Sequence, residues 1–154
     1  MAVSKALVVR QPFANWICQG EKIWELRGKN CNFRGRVAIA ASGSGHLIGE
    51  VTITGCQVVA VRDAEGVLMP PPSDPDKFVL HDFNMNLHGV TRKELSKFKY
   101  QTIWAWTLTE PVKYPEPKAY QHPRGAVSWV TLAPPAPSKK NKAALRRPAA
   151  VKKR

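Results

Sequence analysis

The sequence predicts an α+β fold that is mainly β: a small, partly closed β-barrel with a few short helices. Two observations carry that expectation. Five or six short segments are β-branched or alternate apolar with polar residues, and they are joined by Gly- and Pro-rich connections. Only a few stretches carry helical spacing, and all are short, so the connections between strands are irregular crossovers. At 154 residues the chain is one domain's worth, and 44% hydrophobic residues suffice for a real core.

In chain order, "KALVVR" (5–10) reads as a buried strand. "QPFANWICQG" (11–20) reads as a short helix. Pro12 suits its first turn, Phe13, Trp16 and Ile17 fall at i, i+3 and i+4, and Gly20 suits the position just past its end. "GEKIWELR" (20–27) follows as a strand. Its pleat puts Ile23, Glu25 and Arg27 on one face, Trp24 and Leu26 on the other, and Lys22 at the turn-to-strand junction. "FRGRVAIAAS" (33–42) is a turn at Arg34-Gly35 leading into a strand, and "SGSGHL" (42–47) is a flexible connection. "IGEVTITGCQVVAV" (48–61) is the next strand, with Gly55 as a bulge.

Residues 62–100 change character and read as an insertion packed on or beside the β core. "MPPPSDP" cannot continue a sheet, "DKFVLHDF" (76–83) reads as a helix after Pro75, and Thr91 with Glu94 forms a capping box. "QTIWAWTLTEPVKY" (101–114) alternates Ile103, Ala105 and Thr107 against Trp104, Trp106 and Leu108, and "GAVSWVTLA" (125–133) is the closing strand.

Charge divides the chain. The net charge is +13, yet residues 134–154 hold eight Lys/Arg and no acidic residue, which leaves about +5 on residues 1–133. That tail has no aromatic residue and is expected to be disordered. A polycation of this kind attracts phosphate backbones without reading sequence, and it serves equally as a nuclear-targeting signal. Cys18, Cys31 and Cys56 are odd in number and lack CxxC spacing, as expected of reduced thiols in an intracellular protein. The histidines are scattered, so no metal site and no cofactor are expected. No apolar run is long enough for a bilayer span, and the N-terminus reads as a strand rather than a signal peptide.

Three segments resemble the ASCH domain, a branch of the PUA-like barrels. The first is "RQPFANWICQGEKIWELR", similar to the family's Gln-Pro, short helix and Gly-x-Lys-x-x-Glu-x-Arg signature. The second is "RGRVAIAAS", and the third is "WAWTLTEPVKYPEPKAYQHPRGAVSWV". The resemblance covers most of residues 7–132 and implies a small barrel with helices over one opening and a cleft holding the signature. The domain is expected to span 1–133, with 134–154 outside, and the chain is expected to be a monomer that binds RNA or a nucleotide, with DNA as a further partner of the basic tail, and no membrane. The compartment is then cytoplasmic, or nuclear in a eukaryote. The resemblance also admits a hydrolase, acting on 4-acetylcytidine or on RNA, and a protein-interaction module with a targeting tail. Amidohydrolase-like members carry a threonine where this chain has Glu25, which favours recognition over catalysis.

Within that cleft Arg27 is a planar donor for phosphate or a base edge. Lys22 neutralises phosphate if exposed and loses basicity if buried, when it becomes a candidate general base. Glu25 accepts from a cytosine amino group, orients Lys22, or shuttles a proton. Lys22 and Glu25 are thus the catalytic candidates, and the same three residues read alternatively as a surface salt-bridge network. Gln11 either reaches a ligand or caps its helix. Arg34 either extends a phosphate track or belongs to a solvated turn. Ser42 and Ser128 complete the candidate ligand set, each with a plain backbone-bonding alternative. Trp24 is the tryptophan within the signature, although alternation sends it away from Glu25.

Overall fold

The computed structural model describes residues 3–74 and 85–134. The helix expected over 76–83 and the basic tail after Pro134 lie outside the described residues. The elements are β1 (Lys5–Val9), α1 (Phe13–Gln19), β2 (Trp24–Arg27), β3 (Gly35–Ala41), β4 (His46–Arg62), β5 (Leu68–Met69), α2 (Met85–His88), α3 (Arg92–Ser96), β6 (Thr102–Ala119) and β7 (Trp129–Thr131).

The described strands form one seven-stranded sheet in the order β2-β6-β4-β3-β1-β7, with β5 paired to β4. β1 and β3 run parallel, and the other pairs are antiparallel. The ladder does not close, because β2 and β7 are its two ends. Curvature nevertheless brings those ends together through side chains. The Trp106 ring on β6 stacks on Trp129 of β7 at 5.8 Å between centroids. Arg27 on β2 donates from Nη2 to the Val8 carbonyl of β1 at 2.7 Å. The expected partly closed barrel is therefore a curled open sheet pinned across its gap. The register shift of β4 against β6 between Ile53 and Gly55 is the bulge expected at Gly55, and three further shifts along the same pair add curvature.

Both faces of the central strands are covered, which explains the nearly continuous apolar runs of β1 and β3. Leu7, Val9, Val37, Ile39 and Ala41 face the main core with Ala14, Ile17 and Cys18 of α1, while Ala6, Val8, Ala38 and Ala40 face a second cluster. Alternation in β6 sends Trp106 and Leu108 into the main core. Ile103 and Ala105 go instead with Leu26, Val59, Val90 and Leu95 into a third cluster.

The local sequence sets the entrance to β2. Gly20 ends α1 in the left-handed region (φ 81°), where a side chain is strained, and its N–H caps the carbonyls of Trp16 and Ile17. The N–H groups of Glu21 and Lys22 then fold back onto the Trp16 carbonyl. This reversal turns Lys22 inward and leaves Ile23 39% exposed. Ile23 precedes the strand, so the shared face expected for Ile23, Glu25 and Arg27 holds only Glu25 and Arg27. The segment expected as an insertion packs against this entrance: the Leu87 carbonyl accepts from Ile23 N at 2.9 Å, and the Thr91–Glu94 capping box starts α3.

Candidate functional site

A cleft of about 520 Å³ opens where β1, β2 and the 42–45 turn meet residues 90–100 and 120–127. Lys22, Glu25, Arg27 and Ser42 line it, together with Arg10, Phe13, Phe98, Tyr100, Tyr120 and His122.

Lys22 is 1% exposed, an inversion of the usual rule that lysine stays in water. Its Nζ donates to the Trp24 carbonyl at 2.7 Å and to the His88 carbonyl, and lies 5.3 Å from the centre of the Phe13 ring. One ammonium thereby ties β2, α1 and α2 together. Burial pushes its pKa below the ordinary lysine value, and the Arg27 charge adds to that, while Glu25 and Glu94 oppose it. Of the two postures expected for Lys22, this is the buried one.

Glu25 is 8% exposed, and Arg27 is its ion-pair partner, with Nε 3.5 Å from Oε1. β2 pairs with β6 so that Glu25 lies opposite Trp106 and Arg27 opposite Trp104. The Arg27 guanidinium sits 5.8 Å from the centre of the Trp106 ring. Its remaining nitrogens point to Val8 and, at 3.5 Å, to Ser128 Oγ. Arg27 thus has a structural task besides facing the cleft.

Three candidates are placed away from the lining. Gln11 is exposed, and its Oε1 accepts from Asn15 N at 3.1 Å, so its side chain caps α1. Arg34 clamps its own turn through the carbonyls of Cys31 (2.7 Å) and Phe33 (2.8 Å). Ser128 precedes β7 rather than lying in it; its carbonyl accepts from Val8 N, and its hydroxyl faces Arg27. Trp24 is half-buried against the third cluster and is absent from the lining. Ser42 stays at the exposed rim beside Gly43 and Gly45, with its N–H on the Val9 carbonyl.

Sequence reasoning missed two aromatic pairs on the cleft walls. Phe98 and Tyr100 lie 5.5 Å apart, and Tyr120 and His122 lie 5.7 Å apart. The first pair is positioned by Arg62, whose Nε donates to the Tyr100 carbonyl at 2.9 Å and whose Nη2 donates to the Phe98 carbonyl. Tyr100 lies over Gly28, where an added Cβ would come within 2.2 Å of the ring, so a larger residue immediately after the signature arginine would displace Tyr100. In the second pair, His122 Nε2 lies 2.7 Å from the Ala126 carbonyl, so this nitrogen carries the hydrogen. Nδ1 is then the acceptor for the Tyr120 hydroxyl at 2.7 Å. Arg10 directly follows a strand that the sequence marks, whereas Tyr120 and His122 lie beyond the alternation that stops at Tyr114, so the sequence carried no signal for them.

His88 is 1% exposed, and its Nδ1 accepts from Val90 N at 2.9 Å. Burial, followed by the nearby Lys22 charge, lowers its pKa to about 4. The imidazole is therefore neutral and structural at ordinary pH. Among the described residues no group of three or more His, Cys, Asp or Glu side chains could hold a metal, and no helix is long and apolar enough to cross a membrane.

Comparison with known proteins places this architecture. No curated protein matches the sequence. Two crystal structures of an ASCH protein from Zymomonas mobilis share the fold. A serine-to-alanine variant aligns with a TM-score of 0.57 at 13% identity over 92% of each chain. The ASCH structure from the same organism aligns at 0.51 and 16% identity, again over 92% of each chain. The ASCH domain family model matches residues 7–117, a span that contains the helix, the signature strand and most of β6. The chain belongs to the ASCH domain family.

Proposed function

We propose that this protein binds RNA or a nucleotide in the 520 Å³ cleft, and that the basic tail adds affinity for the phosphate backbone. The observation that carries the reading is the composition of the cleft. Aromatic pairs at Phe98–Tyr100 and Tyr120–His122 offer π-faces for a base. Exposed Arg10 and Ser42 at the rim suit a phosphate, and the Glu25–Arg27 pair offers an acceptor beside donors for a base edge. Monomeric binding without a membrane is part of the same reading, as is a reduced, intracellular setting.

Recognition is favoured over hydrolysis because of what Lys22 touches. Its ammonium is engaged by two backbone carbonyls, and Glu25 pairs with Arg27 instead of with Lys22. Neither group stands as a general base beside a nucleophile. The test is binding of a labelled single-stranded RNA by the full chain at about 0.3 M salt, which screens the tail. Arg10→Glu is expected to weaken binding about tenfold, by replacing one phosphate contact with a repulsion. Unchanged affinity would remove the cleft from the interface.

A further inference from the structure

Cys31 and Cys56 are held side by side, and both are free thiols. Cys31 lies in the connection between β2 and β3, and Cys56 lies on β4, 25 residues further along the chain. The Cys31 N–H donates to Cys56 Sγ at 3.3 Å. Adding the N–Cα bond of Cys31 and the Cα–Cβ–Sγ arm of Cys56 leaves the two Cα atoms no more than about 7 Å apart, the outer limit for a disulfide. Cys31 Sγ turns to the Phe33 carbonyl at 3.8 Å, a weak contact that rotation about its Cα–Cβ bond gives up. The backbone around the pair is fixed. Arg34 donates to the Cys31 carbonyl at 2.7 Å, Trp106 Nε1 donates to the Lys29 carbonyl at 2.9 Å, and Cys56 stands opposite Trp106 in the β4–β6 ladder. The two thiols differ in access. Cys56 is half-buried, so a small oxidant reaches it, whereas Cys31 is only 4% exposed.

We infer that Cys56 is an oxidant-reactive thiol with Cys31 as its resolving partner, and that their reversible disulfide clasps the β2–β3 connection onto β4. The oxidant is a hydroperoxide. The Cys56 thiolate attacks one peroxide oxygen, the O–O bond breaks, and the other oxygen leaves as hydroxide, so that Cys56 becomes a sulfenic acid. The Cys31 thiolate then attacks the Cys56 sulfur; the S–S bond forms, the S–O bond breaks, and a second hydroxide leaves. Two thiols have lost two electrons and two protons, and hydrogen peroxide has become two waters. Burial raises the Cys56 thiol above its ordinary value, while the Cys31 N–H and the Arg34 charge oppose that rise. Mild alkali therefore speeds the first step.

The full chain, folded and reduced, is treated with hydrogen peroxide at about pH 8.5, then denatured, alkylated and mapped by peptide mass spectrometry. The expected product is one Cys31–Cys56 disulfide that dithiothreitol reverses. Cys18, buried and with its thiol raised to about 11, is expected to remain a thiol. Oxidation in urea is the control. In the unfolded chain loop closure favours Cys18–Cys31, 13 residues apart, over Cys31–Cys56, 25 apart, by about threefold, so selection of the longer loop by the folded protein reports the fold. Oxidised protein is expected to unfold at higher urea than reduced protein. Cys31→Ser is expected to leave Cys56 as a sulfenic acid that dimedone traps. No oxidation of the folded protein, another pairing as its main product, or Cys56 stopping as sulfenic or sulfinic acid beside a free Cys31 would overturn the inference. So would a Cys31–Cys56 bond that lowers the urea midpoint, since the fold would then have to open to make it. The peptide map of the native protein decides the matter even if the variant does not fold.

Discussion

Arg27 reaches from β2, at one end of the strand order, to the Val8 carbonyl on β1 near the other end, at 2.7 Å. One side chain thus pins a sheet whose hydrogen-bond ladder stays open, and it also neutralises Glu25 beneath the cleft. Removing it leaves a buried carboxylate without its counter-charge and a strand carbonyl without that donor. Arg27→Met should therefore lose about 2–4 kcal/mol of stability in urea unfolding. Arg27→Lys should recover little, since a single ammonium cannot serve Glu25 and Val8 in the geometry of the guanidinium fork. A loss below about 0.5 kcal/mol would mean the pin is dispensable.

Lys22 gives a prediction with a pH signature. Lys22→Met keeps the length of the side chain and deprives the carbonyls of Trp24 and His88 of their donor, which should cost about 2–4 kcal/mol near neutral pH. Burial lowers the folded-state pKa, so between that value and 10.5 the unfolded chain binds the proton and the folded chain does not. The native protein should gain stability relative to the variant as pH rises through this window, with the gain complete above 10.5. The comparison must be made as a difference, because Cys18 works in the opposite sense. Its burial raises the thiol from 9.0 to about 11, and stability falls with rising pH between those values. A difference between native and variant that stays flat with pH would contradict the account of Lys22.

His88 predicts an acid-side loss. Its imidazole titrates at 6.5 in the unfolded chain and at about 4 in the folded one. Protonation must also overcome the Val90 N–H that already points at Nδ1. Between those pH values the unfolded state binds more protons, so stability falls as pH drops from 6.5 to 4, by about 3 kcal/mol in all. His88→Asn, which retains an acceptor for Val90, should lack this loss in thermal or urea unfolding followed across pH. Parallel curves for native and variant protein would contradict the assignment.

How much of this was legible in the sequence depends on the range of the interactions. β1, α1 and β3 follow from local rules: apolar runs, a Pro at the start, and a Gly that alone tolerates φ 81° at the end of α1. The Thr91–Glu94 box is a four-residue signal and appears as expected. Alternation likewise sorted Glu25 and Arg27 from Trp24 and Leu26. What could not be read is where long side chains terminate. Gln11 turns back to its own helix, Arg34 to its own turn, and Lys22 to a carbonyl 66 residues away. Periodicity carries no information about such endpoints. The aromatic walls were hidden for the same reason: Tyr100 and Tyr120 come from separate segments that only the curl of the sheet brings to one cleft.

The most direct test of the central claim is amide chemical-shift mapping of the full chain titrated with CMP, at about 0.3 M salt to quench tail binding. The cleft account predicts perturbations concentrated at Arg10, residues 22–28, residues 42–45, Tyr100 and residues 120–126. Perturbations confined to residues 134–154, or none anywhere, would contradict it.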